Sequence, residues 1–178
     1  AITIGTLDLG TNYATNFVSN NFSITARPLT ITGAANTKVY DQNTNSATTP
    51  SITAGTLAFS NTPSFTQSYN NALVGINKPM TPAGTVNDGN GGANYNVTFV
   101  PANVGVITQK GLDVTGLSAP SKVYDQGTSA TIMGAPALSG IIGLDVVTIG
   151  GVAAGNHNTA NVGATTVTVT GLSLGGAD

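Results

Sequence analysis

The sequence has no cysteine, no tryptophan and no glutamate, and a single histidine among 178 residues. Without thiols it cannot build a disulfide framework, a thiolate zinc site, an iron–sulfur cluster or a cysteine nucleophile. Charge is also scarce. Five Lys and Arg and seven Asp make up 7% of the chain, where a soluble domain carries about a quarter. A net charge of −2 and a pI near 4.9 exclude electrostatic capture of DNA, RNA or an anionic membrane. No apolar run approaches the ~18 residues of a membrane-spanning helix, so no membrane insertion is expected. A 40% hydrophobic content is too high for a disordered tail. No basic-then-apolar leader opens the sequence, and any export signal is expected outside this stretch.

Strong helix formers are few, whereas Thr, Asn, Ser, Val and 23 glycines dominate. Leu29-Thr30-Ile31-Thr32, Leu112-Asp113-Val114-Thr115 and Val167-Thr168-Val169-Thr170 alternate at period two, as a strand with one buried face requires. Such short segments between Gly, Asn and Pro clusters predict an all-β fold with almost no helix.

The chain repeats itself. Lys38-Val39-Tyr40-Asp41-Gln42 recurs as Lys122-Val123-Tyr124-Asp125-Gln126, which sets a period of about 84 residues. Upstream, Leu29 to Gly33 matches Leu112 to Gly116. Downstream, Gly91-Gly92-Ala93-Asn94 matches Gly175-Gly176-Ala177-Asp178. The opening residues fit the same pattern: Asn12-Tyr13 corresponds to Asn94-Tyr95, and Ser23-Ile24-Thr25 to Val106-Ile107-Thr108. Ile2, Ile4, Leu7 and Leu9 have the spacing of Val167, Val169, Leu172 and Leu174. The apolar parity changes at Gly5-Thr6 and at Thr170-Gly171, which predicts a bulge or a change of sheet there.

Residues 1–27 are therefore read as the C-terminal part of a preceding repeat, 28–110 as a complete repeat, and 111–178 as a repeat lacking its tail. The whole is read as cut from a longer tandem array. A unit of this length suits an immunoglobulin-like β-sandwich and is too long for a solenoid coil. Ile24-Thr25-Ala26-Arg27-Pro28-Leu29 and Ile107-Thr108-Gln109-Lys110-Gly111-Leu112 leave almost no spacer, so a semi-rigid rod is expected.

The Lys-Val-Tyr-Asp strand with its turn, the Ile-Thr-Ala-Arg-Pro-Leu-Thr-Ile-Thr-Gly junction and the Gly-Gly-Ala-Asn-Tyr tail resemble YDG-type immunoglobulin-like repeats. Such repeats occur in very large secreted bacterial surface proteins, including filamentous-haemagglutinin-like adhesins. The resemblance covers essentially the whole chain. It implies export, a cell-surface or extracellular location, a stalk or fibre role, and no catalytic residues. The sequence departs from the family pattern at Gln42 and Gln126, where the family has Gly. It departs again where Thr81-Pro82-Ala83-Gly84-Thr85-Val86 and an Asn/Gly loop replace the alternating strand of the other repeat.

Candidate sites carry two readings each. In the repeated pentapeptide, Lys38 and Lys122 either hold a packed strand and an Asx-capped turn, or serve a ligand contact or an internal amide cross-link to Asn. Asn87-Asp88-Gly89-Asn90-Gly91-Gly92-Ala93-Asn94 reads as a hairpin loop, with weak calcium binding as the alternative. His157 is expected on an exposed turn. Phe59, Phe65, Tyr69 and Tyr95 fill a core or form a sugar-stacking platform. Broken Thr spacing argues against an ice-binding grid, whereas weakly charged strand edges invite lateral association.

No catalytic, cofactor-binding or metal-ligating residue is assigned. The leading expectation is a non-enzymatic stalk or filament segment whose partners are neighbouring repeats. Strand addition of residues 1–27 into the last sandwich of another molecule is a further expectation. The alternative is a module for a surface glycan or protein, with residues 77–94 as its contact surface.

Overall fold

The computed structural model describes residues 5, 11–13 and 16–176. The parity change expected at Gly5-Thr6, the spacing of Ile2, Ile4, Leu7 and Leu9, and the final Ala177-Asp178 lie outside them. Among the described residues there is no helix. In chain order the strands begin with β1 (Arg27–Thr32), β2 (Asn36–Val39), β3 (Ser51–Ala54), β4 (Thr62–Tyr69), β5 (Gly75–Asn87), β6 (Tyr95–Val100) and β7 (Ala102–Thr108). They continue with β8 (Asp113–Thr115), β9 (Ser129–Ala130), β10 (Ala137–Ser139), β11 (Val147–His157) and β12 (Val167–Gly176). The all-β expectation holds, for the reason composition supplied: β-branched residues and glycine turns outnumber helix formers.

Four sheets result, with strand orders β3-β1-β6, β2-β7-β5-β4, β10-β8 and β12-β11-β9. The chain divides into two compact units. One comprises Ala1–Asn36, Asn45–Asn70 and Asn77–Gly105, and the other Thr37–Thr44, Asn71–Ile76 and Val106–Asp178.

In the first unit, β1 pairs antiparallel with β3 and parallel with β6, from Arg27 opposite Tyr95 to Thr32 opposite Val100. β4 and β5 pair antiparallel from Thr62–Asn87 to Tyr69–Met80. Period-two alternation in β1 turns Leu29 and Ile31 inward, where they meet Phe65 of β4, Val86 of β5 and Tyr95 of β6 in one buried cluster. Two sheets thus supply one apolar interior. Residues 81–86, which replace the alternating strand of the other repeat in sequence, lie within β5. Met80, Pro82 and Val86 point inward at even spacing, and Gly84 at φ 124 passes too close to Ser64 for any Cβ.

The second unit is built differently. β8 and β10 pair antiparallel, and β11 lies between β9 and β12. The parity change expected at Thr170-Gly171 is present. Thr170 pairs with Ala154 and Leu172 with Gly151, so two residues of β11 bulge opposite Gly171, whose φ is 81. The alternating Leu112 to Thr115 stretch does not repeat the burial of its counterpart. Val114 is 48% exposed, whereas Ile31 is 0%. The described part of the second copy buries less apolar side-chain surface than the first. The buried hydrophobic side chains are those of Leu29, Ile31, Phe65, Tyr69, Met80, Val86, Tyr95 and Ile107, none beyond residue 107 among the described residues. The physical reason is pairing. β1 is flanked on both sides and β5 lies inside its sheet, whereas β8 and β12 each pair on one side only.

Candidate functional site

The repeated pentapeptide builds the same turn twice. Lys38 Nζ donates to Asp41 Oδ1 at 2.7 Å and to the Asn43 carbonyl at 2.6 Å, while Asn43 N–H donates to Asp41 Oδ1 at 3.1 Å. In the second copy Lys122 Nζ donates to Asp125 Oδ1 at 2.7 Å and to the Gly127 carbonyl at 2.8 Å, and Gly127 N–H donates to Asp125 Oδ1 at 2.9 Å. The Lys38 hydrogen bond holds the Asp41 carboxyl below its usual value, against a smaller opposing effect of burial. Lys122, followed by the Gly127 N–H, does the same to Asp125.

An internal amide cross-link needs Lys, Asn and a carboxylate together, and Lys38, Asn43 and Asp41 are together: Nζ also lies 2.9 Å from Asn43 Oδ1. The second copy, however, has Gly127 in place of Asn43 and so offers no amide at that position. What the two copies share is an ion pair and a backbone acceptor closing a turn. The strand expected to lead into this turn is present in the first copy as β2, whereas residues 121–125 form none.

Gln42 and Gln126 sit at φ 64 and φ 66, the left-handed region that glycine enters without steric cost. Gln42 offsets the strain with its side chain, whose Nε2 donates to Asp145 Oδ1 at 2.7 Å and to the Ile142 carbonyl at 3.0 Å. Replacing Gln126 with Gly is therefore expected to stabilise the second unit by about 0.5 kcal/mol. Gln42→Gly, which also deletes two hydrogen bonds, is expected to give no gain. Urea unfolding of the two variants checks both.

The loop at residues 87–94 is organised by its one carboxylate. Asp88 Oδ1 accepts from the N–H groups of Asn90 and Gly92, both at 2.8 Å, and Oδ2 accepts from Asn94 N–H at 3.0 Å. Burial raises this carboxyl, and the Gly92, Asn90 and Asn94 donors together outweigh it, so the net displacement is downward. Both carboxylate oxygens thus serve the loop itself, which is not the hairpin expected: it carries the chain from β5 to β6, strands of two different sheets that do not pair. Among the described residues, no three His, Cys, Asp or Glu side chains gather to hold a metal.

The four aromatic candidates separate. Phe65, Tyr69 and Tyr95 are buried, and the two tyrosine hydroxyls are committed internally. Tyr69 Oη donates to the Asn36 carbonyl at 2.8 Å, and Tyr95 Oη accepts from Ala58 N–H at 2.8 Å and Asn61 Nδ2 at 2.9 Å. A sugar-stacking platform of all four is thereby overturned. Phe59 alone is fully exposed, at φ 48.

His157 is not on an exposed turn. It ends β11, half-buried, with its N–H donated to the Thr128 carbonyl at 2.7 Å. Its Nε2 is buried without a hydrogen-bond partner. It lines a cavity of about 410 Å³ in the second unit, together with Lys122, Tyr124, Asn161 and Val167. Sequence reasoning missed this position and also Gln67, which is buried in β4. Gln67 Oε1 accepts from Ala34 N–H at 2.7 Å, and its Nε2 donates to the Ala34 carbonyl at 2.8 Å. A lone Gln in Thr-Gln-Ser carries no composition signal. Only its inward parity with Phe65 and Tyr69 marked it.

An all-strand fold whose repeated polar motif closes turns defines a class of all-β module in which the recurring residues hold the chain together. A family profile described as the YDG domain matches residues 25–104 and 108–178, and the chain belongs to that family. No curated protein and no solved structure matches it.

Proposed function

We infer that this chain is a non-enzymatic spacer, a pair of tandem immunoglobulin-like YDG sandwiches with boundaries near residues 28, 110 and 111. It forms part of a secreted, surface-located bacterial stalk or adhesive filament. The observation that carries this reading is the turn lock built once at Lys38 and again one repeat later at Lys122, with the same donors, the same acceptors and the same positive φ. Residues that recur to close a backbone turn serve folding, and repetition of folding units extends length. The bacterial and extracellular elements rest on the family resemblance of the whole motif set. The name YDG also belongs to a eukaryotic DNA-binding domain. This chain has five basic residues, and Lys38 and Lys122 are engaged by Asp41 and Asp125, so a phosphate-binding face is not supported.

Phe59 favours a second reading. A fully exposed aromatic held at positive φ is suited to a glycan or protein contact. Force spectroscopy and a glycan panel separate the two. A spacer unfolds in discrete steps and gives no saturable binding. Saturable binding that disappears in Phe59→Ala would overturn the spacer reading in favour of a binding module.

A further inference from the structure

The loop at residues 87–94 contains two pairs in which glycine follows an Asp or Asn side chain, Asp88-Gly89 and Asn90-Gly91. Asn90 is the one asparagine of the sequence that glycine follows. In such a pair the glycine's backbone nitrogen can attack the preceding side-chain carbon Cγ and close a five-membered imide. Glycine favours the step, because it has no Cβ to crowd the attacking nitrogen and it reaches backbone conformations closed to other residues.

The fold treats the two pairs differently. Asp88 is held back. Its Oδ1 accepts the N–H groups of Asn90 and Gly92, and its Oδ2 accepts that of Asn94. Burial raises this carboxyl, but the three donors outweigh it and hold it ionised. A carboxylate is a poor electrophile.

Asn90 is left open. Its carboxamide is neutral and exposed, and Nδ2 donates to Asn94 Oδ1 at 3.1 Å. Asp88 engages the N–H groups on either side of Gly91, those of Asn90 and Gly92, and passes over the Gly91 N–H. Among the described residues nothing accepts that N–H. Gly91 is itself exposed at φ 64, and a Cβ there would meet nothing within 4 Å. Water and hydroxide therefore reach the nitrogen that has to lose its proton. Asn96 and Asn103, by contrast, precede valines, whose branched side chains shield the nitrogen.

We propose that Asn90 is a self-modifying site, at which the Gly91 nitrogen attacks Asn90 Cγ and the carboxamide nitrogen leaves as ammonia. The Gly91 proton goes to base and a proton returns to the departing nitrogen, so no oxidant, metal or enzyme takes part. One water then opens the imide. Attack at Cγ gives Asp, and attack at the main-chain carbonyl carbon gives isoaspartate. Either product adds one negative charge. It also removes the donor to Asn94 Oδ1 and stands beside the ionised Asp88. The iso product lengthens the backbone by one carbon between the two N–H groups that Asp88 Oδ1 collects. Gly92 and Asn94 in turn accept from Tyr95 N–H at 3.1 Å and Arg27 N–H at 2.8 Å, so the change reaches the start of β6. The site goes beyond the spacer reading and does not depend on it.

Incubation of the full, folded chain at neutral and mildly alkaline pH tests the idea, with peptide mass mapping and an isoaspartate-specific methyltransferase label as readouts. The mass change of amide to acid is expected at residue 90 before any other asparagine. The label is expected to grow with time, faster at the higher pH, and to disappear in Asn90→Gln. Hydrogen exchange at Tyr95 is expected to quicken in the labelled fraction. An Asn90 that keeps its amide in the folded chain, or another asparagine that converts first, would overturn the proposal and leave the spacer reading standing.

Discussion

Ile31→Ala is expected to cost the first unit about 3 kcal/mol, whereas Val114→Ala, at the corresponding strand position of the second copy, costs under about 1 kcal/mol. Ile31 is fully buried among Leu29, Phe65, Val86 and Tyr95, so truncation leaves a void that its neighbours cannot close. Val114 is about half exposed and loses little by truncation. Since a domain is stable by only about 5–15 kcal/mol, the first loss is a large fraction of the total. Hydrogen exchange read separately at β1 and β8 measures each cost where it falls. Equal losses would mean that the second copy also encloses a core.

Gln67→Leu should be nearly as damaging, at about 2–3 kcal/mol. The leucine matches the glutamine in size, so the packing around β4 survives. The Ala34 N–H and carbonyl, each paired with the Gln67 amide, lose their partners in a part-buried setting. The Ser46 hydroxyl, 3.2 Å from Nε2, loses a donor too. A buried amide that mimics a strand edge ties Ala34 to β4, far along the chain. Urea denaturation of the variant measures the loss. An unchanged midpoint would show that water replaces both contacts and that Gln67 is a passenger.

Much of this was legible beforehand. Leu29 and Ile31 were marked as inward by alternation, because a strand turns successive side chains to opposite faces. The parity change at Thr170-Gly171 marked its bulge for the same reason. The turn after each Tyr-Asp was marked too, although the left-handed residues are Gln42 and Gln126 and not Gly127. Other features had no local signature. Tyr69 and Tyr95 are core residues because their hydroxyls find Asn36, Ala58 and Asn61, partners remote in sequence. Residues 81–86 read as a broken strand because Pro82 and Gly84 interrupt it near an Asn-rich loop, yet pairing with β4 carries the chain through. His157 read as exposed because Asn residues flank it, and the pairing with Val167 placed it against a cavity instead.

The sequence alone settled the all-β class, the internal repeat with its period, and the turn after each Lys-Val-Tyr-Asp, because backbone propensity, side-chain parity and turn chemistry are local properties. Tertiary structure alone decided that Leu29, Ile31, Phe65, Val86 and Tyr95 form one buried cluster, that Gln67 and Asp88 serve backbone donors, and that His157 lines a cavity. Those outcomes depend on which strands lie beside which. Alternation fixes the two faces of a strand, but the burial of either face is set by neighbours distant in sequence.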